Sequence, residues 1–482
     1  MPDLRPVLFI VGLMIAGLGS AMFIPMFVDI GYRNEGWQVF GISGILTVIF
    51  GMILAFTTYV PKNYMRARGA FLLTTTSWII LALVGAIPFM FQDHSMSLTD
   101  AYFESMSGLT TTGSTVMTGL DDAPEGILIW RAMLQWYGGV GIIITALAIL
   151  PRLNIGGMQL FRTEWFDPMG KILPRAGQIA LGIGIAYIGL TALCAIGYML
   201  TDINAFDAIC LSMTTLSTGG FANSDASFAA YADHGADIVA SIFMVFAAMP
   251  FAAYVLAIRG NLQGIYRNPQ TRGFLFLLFV LIVLMVIYMK MNGHVSSAHP
   301  IRLAMFNVIS VITGTGYSFG DYQLWGPFAV GVFFVIMFVG GCAGSTSCSI
   351  KVFRFQVAFE ALAAYLTTMV RPHAISPMRY GGRPLPKTTV YAVMSFIFVF
   401  MLCYAVTVVA LSIIGLDEIT ALSSAATAIT NVGPGLGDIV GPSGSFQPLP
   451  DSAKWVMSLA MIVGRLEIIP VLVVLTPSFW RA

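Results

Sequence analysis

The sequence predicts an all-α integral membrane protein: two extra N-terminal spanning helices, then four pseudo-repeated units of helix, short helix, loop and helix. Three observations predict it. The 482 residues are 57% hydrophobic and only 10% charged, whereas a soluble domain carries about 25% charged residues. Ten segments are apolar over the roughly 20 residues that a bilayer core requires. A short stretch ending in a Gly/Thr-rich loop recurs four times at near-regular spacing.

The ten segments are 7–28, 38–60, 70–92, 126–150, 177–200, 236–258, 273–291, 324–341 (continuing brokenly to 353), 388–414 and 454–479. The first is too long for a signal-peptide core and lacks a clear small-residue cleavage site, so it reads as a retained helix. Lys and Arg set the orientation. With the N-terminus inside, one set of loops holds 18 of the 24 positive residues, from Arg5 through the group Lys351, Arg354, Arg371, Arg379, Arg383 and Lys387 to Arg481. The other side holds Arg33, Arg131, Lys290, Arg302 and Lys454. Both termini are therefore expected in the cytoplasm. The outer loops are acidic, with Asp100, Asp121, Asp122, Asp225, Asp417 and Asp438 among them, and would concentrate cations.

Composition excludes other classes. Net charge is +1, which supports no nucleic-acid partner. Five cysteines (Cys194, Cys210, Cys342, Cys348, Cys403) have neither CxxC spacing nor a His ladder, against a disulfide framework or zinc site. HExxH, GxSxG and P-loop motifs are missing, so an enzyme is not expected.

The recurring stretches are 100-DAYFESMSGLTTTGST-115, 207-DAICLSMTTLSTGGFA-222, 304-AMFNVISVITGTGYSF-319 and 421-ALSSAATAITNVGPGLG-437. Aligned on one glycine they give Thr112-Gly113, Thr218-Gly219, Thr315-Gly316 and Val432-Gly433, with glycines 106, 97 and 117 residues apart. Each stretch is too short to cross and lies on the acidic side, so it reads as re-entrant. Irregular backbone at membrane depth survives only when buried in protein or lining a watery cavity. Four such loops around one axis meet that condition together. Rings of backbone carbonyls can replace the hydration shell of K⁺, as in the TVGYG loop of K⁺ channels. Glycine allows the positive φ that aligns successive carbonyls. The expected filter is Thr111, Thr112, Gly113; Ser217, Thr218, Gly219; Gly314, Thr315, Gly316; and Asn431, Val432, Gly433. Glycines that merely permit close helix packing are the competing reading, and they do not explain four loops in register.

On these residues the chain resembles the Trk/Ktr/HKT superfamily of K⁺ transporters, and within it the bacterial Trk-type uptake subunit, over essentially its whole length. The resemblance implies four helix–pore-helix–filter-loop–helix units around a central pore. Residues 1–69 would form the two-helix domain, and 70–152, 153–260, 261–372 and 373–482 the four pore repeats. In that family a Ser at the first filter glycine goes with Na⁺ permeation, so Gly113 favours K⁺. Pro434, where an aromatic is usual, makes the fourth quadrant different.

In repeat three the helix over 330–339 runs into 340-GGCAGSTSCS-349, a poor helix interior. The family counterpart is an intramembrane loop that obstructs the pore, so Gly340, Gly341, Gly344, Ser345, Thr346 and Ser347 are expected as a flexible gate. Arg465 lies mid-span, where a charge marks a functional site by default. Glu467, two positions on, does not share its helix face. Arg465 is therefore expected under the filter, hydrogen-bonded to loop carbonyls; an Arg–Glu pair between helices is the alternative. Glu104 and Asn307 lie in pore helices, within possible reach of the filter backbone.

The resemblance further implies a homodimer in the bacterial inner membrane, regulated by a cytosolic ring of subunits that bind NAD and ATP-type nucleotides. It implies no cofactor in this chain, K⁺ being the permeant ion. An H⁺- or Na⁺-coupled symporter is the alternative; its inverted halves fit less well than four units in one orientation.

Overall fold

A computed structural model describes residues 4–60, 67–92, 95–144, 176–292, 299–373 and 377–481. The expected inner positives Lys62, Arg66, Arg152, Arg162, Lys171 and Arg175, and the first boundary between pore repeats, near 152, lie outside the described residues.

Two helices, α1 (Arg5–Ala21) and α2 (Phe23–Tyr32), make the first span, and α3 (Trp37–Thr57) returns antiparallel to it. Small residues let them approach closely: a Cβ on Gly12 would come within 2.8 Å of the Gly51 carbonyl oxygen. Then follow α4 (Ala67–Gly85), α5 (Ile87–Phe91), the first pore helix α6 (Leu98–Leu109) and α7 (Glu125–Ile144). Repeat two contains α8 (Ala176–Met199), the pore helix α9 (Ala205–Leu216), α10 (Ala236–Ala247) and α11 (Phe251–Ile258). Repeat three contains α12 (Pro269–Asn292), the pore helix α13 (Pro300–Thr313), α14 (Pro327–Ile336) and α15 (Val352–Val370). Repeat four contains α16 (Lys387–Ile414), the pore helix α17 (Glu418–Thr430), α18 (Asp451–Arg465) and α19 (Ile469–Leu475). The strands among the described residues are two-residue pairs, Val339–Gly340 with Ile350–Lys351 and Arg379–Tyr380 with Arg383–Pro384. The fold is all-α.

Six described helices are long and apolar enough to cross a membrane. They leave large apolar side chains such as Phe50, Phe276 and Phe398 exposed, as lipid contact requires. The core sits instead between the pore helices and their flanking helices, where Phe103, Trp130, Leu211, Phe306, Ala425 and Met457 are fully or almost fully buried.

Two expected spans are not continuous. The span over 236–258 bends by 92° between α10 and α11, and the span over 454–479 bends by 113° between α18 and α19. At the first break Pro250 lacks an amide hydrogen and its ring crowds the preceding turn. At the second, Glu467 and Ile468 both have positive φ, near 60°, and Pro470 starts the next helix.

Pore helices of 12 to 14 residues are about 18–21 Å long at 1.5 Å per residue, too short to cross. Three begin with a side-chain cap: Ser97 accepts from the Asp100 amide, Asn204 from that of Asp207, and Asp417 from that of Thr420. Hydrogen bonds from Thr420 hold the exposed Asp417 carboxyl below its ordinary range. Ion pairs anchor two of the helices near their N-terminal ends: Asp100 to Lys454 at 2.6 Å, and Arg302 to Asp237.

Candidate pore and gate

All four pore helices end where the chain turns into a filter loop, so four partly negative helix ends point at one place and favour a cation there. Each loop begins with a residue at positive φ: Thr111 (51°), Thr218 (51°), Gly314 (78°) and Asn431 (53°). The next residue sends its amide back five positions. Thr112 bonds to the Ser107 carbonyl, Gly219 to Thr214, Thr315 to Ser310 and Val432 to Thr427, at 2.9–3.2 Å. Thr112, Gly219, Thr315 and Val432 are therefore equivalent, and the residues after them are Gly113, Gly220, Gly316 and Gly433.

This corrects the register in repeat two. Gly219 was aligned with Gly113, but the equivalent residue is Gly220, at φ 79° like Gly316 and close to Gly113 at 84°. Counting from the caps finds it: Ser97, Asn204 and Asp417 each lie 15 residues before Thr112, Gly219 and Val432. The Thr-Gly dipeptide misleads because Thr218-Gly219-Gly220 offers two glycines.

The four loops meet. A Cβ on Gly113 would strike the Gly219 carbonyl oxygen, and one on Gly220 that of Thr315. One on Gly316 would lie 2.7 Å from the Gly433 amide nitrogen, and one on Gly433 3.0 Å from the Thr112 carbonyl oxygen. Each quadrant thus abuts the next until the ring closes. These four glycines also floor a cavity of about 280 Å³ that reaches Arg131 and Asp225. Asp225 is fixed there by accepting the amides of Gly119 and Leu120.

Side chains fix the ring from behind. Thr112 Oγ1 lies 2.7 Å from Thr110 Oγ1 and accepts from Asn431 Nδ2 at 2.9 Å; Thr315 Oγ1 lies 2.8 Å from Thr313 Oγ1. Thr218 Oγ1 donates to the carbonyl of Ser217, whose own hydroxyl donates back to Thr214. Ser114 donates to the Gly433 carbonyl at 3.0 Å. Gln135, not anticipated from sequence, donates to the Gly219 carbonyl at 2.7 Å and accepts from the Phe221 amide. Asn307 holds Phe319 through both amide atoms.

Arg131 was expected in an outer loop but is buried inside α7. Its Nε donates to Glu104 at 2.8 Å and its other nitrogens to the Ala222 carbonyl and the Thr115 hydroxyl. Glu104 also accepts the Val116 amide, so one buried ion pair braces the chain that follows Gly113 and Gly220 in two of the loops. Lys454 is likewise buried against Asp100.

Against the starts of the first and third loops lies the segment over 340–349. Cys348 Sγ is 3.7 Å from Thr111 Oγ1, and a Cβ on Gly314 would sit 3.3 Å from the Cys348 amide nitrogen. The segment is not slack. Its ends pair as two short parallel strands, Val339 with Ile350 and Gly340 with Lys351. The Gly341 amide donates to Ser347 Oγ, and Ser345 Oγ to the Cys342 carbonyl. Cys342 and Thr346 donate to the carbonyls of Ala248 and Ala247, and the Gly344 carbonyl accepts from the Phe251 amide. The loop of repeat three thereby satisfies the groups that the break between α10 and α11 leaves open.

Arg465 is buried and spans the loop and two repeats. It donates to the Thr346 carbonyl at 3.1 Å, to Cys348 Sγ at 2.6 Å and to the Gly138 carbonyl at 3.4 Å. Lys351, expected at the inner surface, is buried too and donates to the Ser347 carbonyl. Adjacent loop carbonyls are thus each held by a cation. Glu467 pairs with Arg354, which sits 3.6 Å over the Phe396 ring; the interhelical Arg–Glu pair exists, with Arg354 in place of Arg465. Among the described residues no group of three or more His, Cys, Asp or Glu side chains could hold a metal ion.

A family model described as TrkH, cation transport protein, matches residues 36–481. The chain is 41% identical to the Trk system potassium uptake protein TrkI of Halomonas elongata, over 99% of this chain and 97% of that one. It is 35% identical to the Trk system potassium uptake protein TrkH of Escherichia coli K12, over 99% of each. The crystal structure of the potassium transporter TrkH from Vibrio parahaemolyticus superposes with a TM-score of 0.92 at 33% identity, covering 100% of both chains.

Proposed function

The chain belongs to the TrkH family of cation transport proteins, and on that premise we propose that it takes K⁺ into the cell through the four-loop ring. It is a multi-pass membrane transport subunit, not an enzyme. The observation that carries the pore reading is the closed ring: Gly113, Gly220, Gly316 and Gly433 each abut the neighbouring quadrant around one axis. An ion entering from the outer cavity exchanges water for main-chain oxygens of these loops, helped by the four helix ends. Below, the loop over 340–349, pinned by Arg465 and Lys351, is the gate. Its support is position, since it lies directly under Thr111 and Gly314. Opening requires both cations to release the Thr346 and Ser347 carbonyls.

Within the same proposal, both termini are cytoplasmic, the membrane is the bacterial inner membrane, and the chain works as a homodimer with a cytosolic nucleotide-binding ring. The positive-inside bias supports the orientation. Complementation tests the function: a K⁺-uptake-deficient bacterium expressing this chain with a regulator subunit grows on low K⁺. Failure to grow with the chain present in the membrane overturns it.

A further inference from the structure

A second cavity, of about 500 Å³, opens between α1, α4 and α7, below the end of the first pore helix. Its volume falls in the range of about 300–1,000 Å³ typical of small-ligand sites. The walls are apolar: Leu18, Leu73, Trp78, Leu81 and Leu109 contribute. Of the three hydroxyls on the wall, two are used within α4, Thr74 donating to the Ala70 carbonyl and Ser77 to that of Thr74; the third belongs to Tyr137. Met14, 38% exposed, stands at the rim. Met14 lies nine residues along α1 from Arg5, about 14 Å at 1.5 Å per residue. That is close to the middle of a hydrocarbon core about 30 Å thick.

We propose that this cavity holds one acyl chain of a membrane lipid. An empty space of this size would forfeit dispersion contacts along its whole lining, and an apolar one does not hold water. At this depth a headgroup does not reach, and hydrocarbon chains are the abundant apolar material beside the rim. Two glycines keep the space open: a Cβ on Gly17 would meet nothing within 4 Å, and one on Gly141 only Trp78 at 3.9 Å. The occupied cavity also backs Gly138, whose carbonyl receives Arg465. Occupancy itself stands apart from the reading of the pore.

The test uses the full chain in vesicles of phosphatidylethanolamine and phosphatidylglycerol, doped with a phospholipid that carries a diazirine midway along one chain. After irradiation, labelled peptides are mapped by mass spectrometry. Trp78 and Tyr137 should be labelled several-fold above the fully buried Phe103, approaching the lipid-facing Phe50. Gly17→Trp should remove most of the label from Trp78 and Tyr137 while leaving Phe50 unchanged. Gly141→Leu serves as a second plug should the first variant fold poorly, and Gly31→Trp, at a site with nothing within 4 Å, should change nothing. Labelling of Trp78 no greater than that of Phe103, or labelling indifferent to both plugs, overturns the proposal.

Discussion

At the scale of single residues, the proposed gate rests on two buried cations holding adjacent carbonyls. A hydrogen bond to a charged group contributes about 1.5–3 kcal/mol, so losing one should raise the open fraction by about tenfold or more. We expect Arg465→Ala to increase Rb⁺ uptake into proteoliposomes, and Lys351→Met to act in the same direction; unchanged uptake in both removes the gate. The filter register is also testable. Gly113→Ser and Gly220→Ser should both admit Na⁺, because each glycine bears on the neighbouring quadrant. Gly219→Ser should act differently, since its side chain meets Gln135; equal Na⁺ leak at 219 and 220 would restore the original alignment. Glu104→Gln leaves Arg131 buried without a carboxylate, a loss of about 3–5 kcal/mol, read as a lower melting temperature. Sequence pointed to Arg465 because a mid-span positive charge, off the helix face of Glu467, stands out. It could not point to Lys351 or Arg131, whose burial depends on partners 4 and 27 positions away, and flanking charges look alike before folding.

At the scale of elements, the break in repeat two escaped hydropathy because apolar side chains continue through it, and the one in repeat four because long apolar runs flank Arg465 and Glu467 on both sides. Pro250 was the available signal in repeat two. The segment over 340–349 announced itself by small residues, yet its order did not, because the hydrogen bonds come from Ala247, Ala248 and Phe251 in another repeat. Removing residues 344–347 should therefore do two things. It should raise Rb⁺ uptake, and it should lower the melting temperature, since the broken helix loses bonds contributing about 0.5–1.5 kcal/mol each. A deletion that changes uptake without any loss of stability would show that these bonds are not what holds the break.

At the scale of the whole molecule, the repeat count, the pore helices and the two extra helices were legible because burial in lipid demands long apolar runs and short re-entrant ones. Orientation was legible as an expectation from charge; a reporter protein fused after residue 481 should fluoresce in the cytoplasm, and an alkaline phosphatase fusion there should be inactive. The pairing of loops was not legible, since backbone contact between chain positions 95 to 321 residues apart leaves no local trace. The ring has a sense of rotation: one presses on two, two on three, three on four, four on one. Strain introduced in a quadrant is handed first to the quadrants beside it, as in overlapping shutter blades. Paired substitutions in adjacent loops should then couple strongly, whereas those in loops facing each other across the axis should combine as independent defects.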